Sequence, residues 1–260
     1  MGTVSFFAFT RAVAALEESD CARPWQWPGH NGERLQVRDA LYLSLLEEQE
    51  AAVGAVPDGE AGRVICLAQR AFGDLRGLLA GLSDDALDRS FAKDEWTLRQ
   101  VLTHILEVER SYENQTRYAS SRGDEEPVYT NLRPPPPSDA EVASGVSGWV
   151  ELLAAARAKS RAFFALPEAA LTRPTRWAGH DVDVGFRLHR FAAHIAEHTI
   201  QCEKALDGLE IRPGEGWRIG RLISAARGAH EVVSDGGVLD SLDRRHQERL
   251  ASIAPASRRA

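Results

Sequence analysis

Three histidines carry the clearest chemistry in the chain: His104, His194 and His198. His194 and His198 are four residues apart, so on a helix one imidazole stands a turn above the other, roughly 6 Å along the axis. His104 lies far upstream, three residues after Val101 and four before Val108. At about 100° per residue it shares the apolar face of those two valines. An H-x-x-x-H pair and a third imidazole from a facing helix make a three-nitrogen donor set for one divalent cation. Three protein ligands leave coordination positions open for water or substrate, which a catalytic metal needs.

The competing reading is core packing. A single inward-facing histidine is more often a hydrogen-bonded core residue than a ligand. Three on apolar stripes each need a buried polar partner, and these stripes otherwise offer mostly aliphatic groups. One cation satisfies all three. Because H-x-x-x-H also arises by chance, spacing alone leaves the two readings level. Zinc is the commonest expectation for such a set, and imidazole suits nickel, iron and copper as well.

The neighbours are weighed in the same way. Glu107 and Glu197 adjoin the histidines and are read either as acceptors that orient the imidazoles or as solvent-facing carboxylates. Gln201 lies one turn beyond His198, within reach of the open coordination side. Trp96 reads as an anchor packing the helix entrance. Cys202 aligns with His198, and a small core residue is the better reading than a soft ligand. His189 is five residues before His194, about 140° round the helix, and points elsewhere. His180, Asp181 and Asp183 fall in a connection and read as a solvated turn. His230 reads as structural, and His30 and His246 have no partner at metal spacing. There is no glycine-rich phosphate loop, no G-x-S-x-G elbow and no H-E-x-x-H.

The elements that must position these residues are helices. Val64, Leu67, Ala68, Ala71, Leu75, Leu78, Leu79 and Leu82 form one stripe of i, i+3, i+4 period; Leu98, Val101, Leu102, Ile105, Val108 and Tyr112 form a second. A third runs from Val142 through Trp149 and Leu153 to Phe164, and a fourth from Phe191 through Ile195 and Cys202 to Leu209. Thr97 with Gln100, and Ser138 with Glu141, fit capping boxes that open the second and third helices. The fold class expected is all-α: a four-helix bundle over 61–210, with an N-terminal extension over 1–60 and a C-terminal helical extension over 211–260. The N-terminal extension is expected to hold one helix, about Glu33 to Val53, packing on the bundle. The C-terminal one is expected to hold two helical stretches separated at Asp235 to Gly237. Two long connections, Ser121 to Pro137 with four consecutive prolines and Pro167 to Gly185, are read as loops that border one cavity if a crossover of the bundle is long.

Composition narrows the function. The 260 residues are 43% apolar with a formal charge of -7, enough for a core and without any basic block. A phosphate-binding face needs clustered Lys and Arg, so no nucleic-acid partner is expected. The three cysteines are too few and too scattered for a disulfide framework. No apolar run approaches the roughly 18 residues that span a bilayer, and the opening stretch lacks the basic leader of a signal peptide. A soluble, cytoplasmic protein with no membrane partner is the expectation.

The run Trp96-Thr97-Leu98-Arg99-Gln100-Val101-Leu102-Thr103-His104-Ile105, followed later by His194-Ile195-Ala196-Glu197-His198-Thr199-Ile200-Gln201, resembles the DinB/YfiT-like superfamily. The resemblance covers roughly Arg63 to Gly208. It implies a bundle of up-down-down-up order with a metal held by His104, His194 and His198. It also implies activities found in the family, such as mycothiol-dependent isomerases and mycothiol or bacillithiol S-transferases, beside members of unknown activity. The arginine-rich, lysine-poor composition would suit an actinobacterium, where mycothiol is the small thiol. Two functions follow as expectations. In the first, a metal-dependent enzyme, an S-transferase, isomerase or hydrolase, uses the ion to activate a thiol or water against a small-molecule substrate. In the second, a non-catalytic bundle binds a small molecule or partner and its metal is structural or vestigial, a reading that a fourth protein ligand closing the site would favour. A homodimer is compatible with either.

Overall fold

The computed structural model describes residues 3–26 and 35–253. Among them the chain is all-α, with eleven α-helices and two short hairpin-like strand pairs. In chain order the helices are α1 (Thr3–Ala14), α2 (Glu18–Cys21), α3 (Val37–Gly54), α4 (Gly59–Leu79), α5 (Leu98–Ser121), α6 (Asp139–Val142), α7 (Val146–Ser160), α8 (Glu168–Leu171), α9 (Val184–Gly208), α10 (Glu215–His230) and α11 (Gly236–Ile253). No helix among the described residues is long and apolar enough to cross a membrane.

Two compact units emerge. One comprises residues 56–72 and 83–211, the other residues 1–55, 73–82 and 212–260. The first holds the helices expected of the bundle: the opening part of α4, with α5, α7 and α9. Its core is apolar, with Val101, Leu102, Ile105, Trp149, Val150, Leu188, Phe191 and Ile195 all buried. A buried polar cluster joins the four helices. Arg157 on α7 donates to Glu109 on α5 at 2.6 Å and to Gln69 on α4 at 2.7 Å, and its guanidinium lies 5.3 Å from the Phe191 ring centroid on α9. Ser160 donates to the same carboxylate at 2.9 Å. A carboxylate and a guanidinium leave water at a cost of several kcal/mol each, about what close pairing and extra donors recover. The cluster therefore fixes how the helices face one another more than it adds stability.

Local chemistry sets the element boundaries. Thr97 accepts from the Gln100 backbone N–H while the Gln100 side chain accepts from Thr97 N–H at 2.8 Å, so the expected capping box opens α5. The box at Ser138 and Glu141 also forms, but it opens only the four-residue α6. The continuous helix read from Val142 to Phe164 is thus broken. Gly145 is extended, and Asp84 Oδ1 accepts from Val146 N–H at 2.8 Å, capping a separate α7 from a distant part of the chain. A Cβ on residue 145 would come within 2.5 Å of that carboxylate and would have to displace it.

The connection read as a loop over 167–185 is ordered as well. After α8, β3 (Pro174–Trp177) pairs antiparallel with β4 (His180–Asp183). Ala178 at φ 47° and Gly179 at φ 85° close it, the two left-handed residues that a tight hairpin requires. Four-residue strands are too short for period-two alternation to stand out.

The second unit is built from α1, α3, α10 and α11 with the last part of α4. Phe6, Phe9, Val13, Trp25, Val37, Leu41, Ile219, Ile223 and Ile253 make its core. Residues 1–60 therefore contribute two long helices, where the periodicity suggested one, and they pack with the C-terminal helices in this unit. α3 starts at Val37, after β2 (Leu35–Gln36), and Glu33 lies outside the described residues. The unit centres on Glu48, which is fully buried. Glu48 accepts from Arg227 Nε at 2.9 Å, and His230 Nε2 and His246 Nε2 lie 2.7 and 2.6 Å from its oxygens. Asp243 takes a further Arg227 donor at 2.7 Å. His230 and His246 are thus structural, with a carboxylate partner that no local spacing could reveal.

Candidate metal centre

α5 and α9 pack against each other in the bundle unit, and they bring His104, His194 and His198 together. One potential ligand atom from each lies within 4.8 Å of the others. His104 Nε2 and His194 Nε2 are 3.3 Å apart. Two nitrogens bound to a tetrahedral ion at 2.0–2.1 Å stand about 3.3 Å from each other, so the spacing is that of two ligands of one cation. His198 lies edge to face with both other rings, its centroid 4.7 Å from that of His104 and 4.4 Å from that of His194, while His104 and His194 are tilted to each other.

His194 is buried, and His104 and His198 are half-buried. Burial, reinforced by the neighbouring imidazoles, pushes His194 down to about 3. Burial followed by His198 lowers His104 as well. The neutral imidazole is the ligating form, so removal from water prepares these two rings to bind a cation at neutral pH.

His198 is held by Gln201, whose Oε1 lies 2.7 Å from His198 Nδ1. An amide oxygen only accepts, so Nδ1 carries the proton and Nε2 is left with a free lone pair. The reading of Gln201 as a residue reaching the open coordination side is replaced by this one: it orients a ligand. Trp96 packs edge to face on His104 at 5.3 Å. It is 42% exposed, so it covers the imidazole more than it anchors the helix entrance.

Glu197 does not orient an imidazole. It is exposed and takes two hydrogen bonds from Arg190, at 2.9 and 3.0 Å, and that pairing lowers its pKa. Arg190 in turn lies 4.9 Å from the Trp177 ring centroid. Glu107 lines a cavity of about 440 Å³ with His104, Val108, Ser111, Arg133 and three of the four prolines, Pro134 to Pro136. The other groups weighed in the sequence fall outside the cluster. Cys202 is fully buried and its thiol is pushed up to about 12, so it stays protonated as a core residue. His189 is exposed, 3.7 Å from Glu60. Asp183 caps α9 by accepting from Phe186 N–H, and Asp181 pairs with Arg176.

Among the described residues no fourth histidine, cysteine or carboxylate joins the three imidazoles. A second cavity of about 410 Å³ is lined by Ser111, Tyr112, Gln115, Tyr129, Asn131, Arg133, the β3–β4 hairpin and Arg187. Ser111 and Arg133 line both cavities. The two long connections of the bundle therefore border one space, as a long crossover would allow. Tyr112 links that space to the imidazoles. Its ring lies edge to face with His194 at 5.6 Å, and its hydroxyl accepts from Trp177 Nε1 at 3.2 Å. Sequence reasoning missed Ser111, Arg133 and Arg187, whereas Trp177 belongs to the 167–185 connection that it expected to line the pocket. Arg187 precedes His194 by seven residues, two helical turns on the same face, and that spacing was the signal available.

The donor set and its geometry fit a divalent metal ion. In comparison with known proteins, the sequence model of the DinB superfamily matches residues 67–202, more than half of the chain and every one of the three histidines. No curated protein and no solved structure matches the chain.

Proposed function

Because the chain belongs to the DinB superfamily, we propose that His104, His194 and His198 hold a divalent metal ion in an open, catalytic site that activates a low-molecular-weight thiol against a small electrophile. The observation that carries this reading is three imidazoles converging beside a solvent-reached cavity with no fourth protein ligand among the described residues. A structural site would be closed by that fourth ligand. When bound, a divalent cation lowers the pKa of a coordinated thiol or water and stabilises developing negative charge.

The residues of the chain do the rest. Three neutral imidazoles contribute no negative charge, so the full charge of the cation is available to an anionic sulfur. Gln201 fixes the tautomer of His198. Trp96 covers one side of His104 and Tyr112 one edge of His194, which limits water at the imidazoles. The cavities beside Ser111 and Arg133 receive the electrophile. Zinc is the metal proposed, with nickel and iron as the next choices.

Elemental analysis of purified protein, followed by assay of thiol conjugation with a model electrophile, tests the reading. One equivalent of metal and turnover that a chelator abolishes are expected. Stoichiometric metal without turnover of any thiol or ester substrate would leave a non-catalytic site and defeat the proposal.

A further inference from the structure

The metal centre has a companion site two turns away on α9. Arg187 is 4% exposed, yet no carboxylate in the described chain pairs with it. Its Nη1 donates to the Arg176 carbonyl at 2.7 Å, and Nε is buried with no acceptor among the described residues. Burial lowers its pKa, but a guanidinium starting near 12.5 stays charged at neutral pH. Arg122 likewise meets only backbone carbonyls, but it lines neither cavity, and the remaining buried arginines differ. Arg157 meets Glu109, Arg227 meets Glu48 and Asp243, and Arg249 meets Glu47. A buried cation without a counter-ion is costly, and the structure offers one place for that ion to come from. Arg187 lines the cavity of about 410 Å³ that also contains Arg133 and Arg176, and no Asp or Glu lines it. Arg176 is matched by Asp181; Arg133 is exposed, with no acidic partner among the described residues. Tyr112, Tyr129 and Trp177 supply flat apolar walls between these charges.

We infer that this cavity is an anion subsite in which Arg187, assisted by Arg133, receives a carboxylate of the small-molecule substrate whose reactive end lies at the three histidines. Guanidinium donors match a carboxylate in shape as well as in charge, and the aromatic walls suit the carbon skeleton between the two ends. Arg187 and His194 are seven residues apart on one helix face, roughly 10 Å along the axis. That separation sets the scale between the carboxylate and the reacting atom. The inference deepens the thiol-activating reading of the metal centre and rests on it for the position of the reactive end.

Calorimetric titration of the zinc-loaded protein with 6-mercaptohexanoate and with 6-mercaptohexan-1-ol tests it. The two probes share a thiol and a six-carbon chain and differ only in the terminal anion. The carboxylate is expected to bind at least tenfold more tightly to the wild type, and Arg187→Met to remove that preference while leaving the alcohol within twofold. Equal affinities in the wild type, or a preference that survives Arg187→Met, would overturn the inference. If circular dichroism shows Arg187→Met unfolded, Arg187→Lys replaces it, with at least a threefold loss of preference expected and an unchanged preference counting against Arg187. Failure of mercaptohexanol to bind would sink the thiol reading alone. Hexanoate titrated into metal-free protein then decides the subsite separately: binding lost in the Arg187 variant upholds it, and no binding overturns it.

Discussion

Gln201 Oε1 lies 2.7 Å from His198 Nδ1, one turn further along α9, and that contact decides which nitrogen of His198 faces the other two imidazoles. Partners that fix a ligand's tautomer typically matter 10- to 100-fold in metal affinity or activity. Gln201→Leu is expected to weaken metal binding by about that factor, read by competition with a chromophoric chelator, with an unchanged far-ultraviolet spectrum. Wild-type affinity in the variant would show that the amide plays no part.

The metal-free protein should lose stability on acidification because of His194. Its folded pKa, pushed down to about 3 by burial, lies below the unfolded value near 6.5. Between those values the unfolded chain binds the proton and the folded chain does not, so stability rises with pH and falls as pH is lowered. From pH 7 to pH 5 this one group is expected to cost about 2 kcal/mol, and His104, shifted in the same direction, adds to it. Urea unfolding at the two pH values, with His194→Phe as control, measures the effect.

Glu48 should be among the costliest carboxylates to remove. It is fully buried and is met by Arg227, His230 and His246 at once, which together hold its pKa well below the usual range. Glu48→Ala leaves Arg227 with Asp243 alone and is expected to destabilise by about 3–5 kcal/mol, seen as a lower denaturation midpoint. A midpoint within experimental error of wild type would contradict the central role given to it.

Asp183 accepts from the Phe186 backbone N–H at 2.7 Å at the start of the helix that carries Arg187, His194 and His198. Asp183→Ala is expected to cost about 1 kcal/mol. The same change to Asn should recover most of it, because a neutral amide oxygen also caps, and thermal unfolding of the pair separates capping from charge.

His104, His194 and His198 were legible because ligand spacing on a helix is local: i, i+4 within α9, and a shared face with Val101 and Val108 in α5. The capping box at Thr97 was legible for the same reason. What the chain could not disclose locally was decided by residues distant in sequence. Asp84 caps the start of α7 at Val146; Glu48 finds His230 and His246 from far along the chain; Arg187 and Tyr112 meet in one cavity only when α5 and α9 pack. Periodicity specifies which face a side chain occupies. The partner across that face is chosen by packing, and so spacing could single out the three histidines as a candidate donor set while the pocket around them could not be read from it.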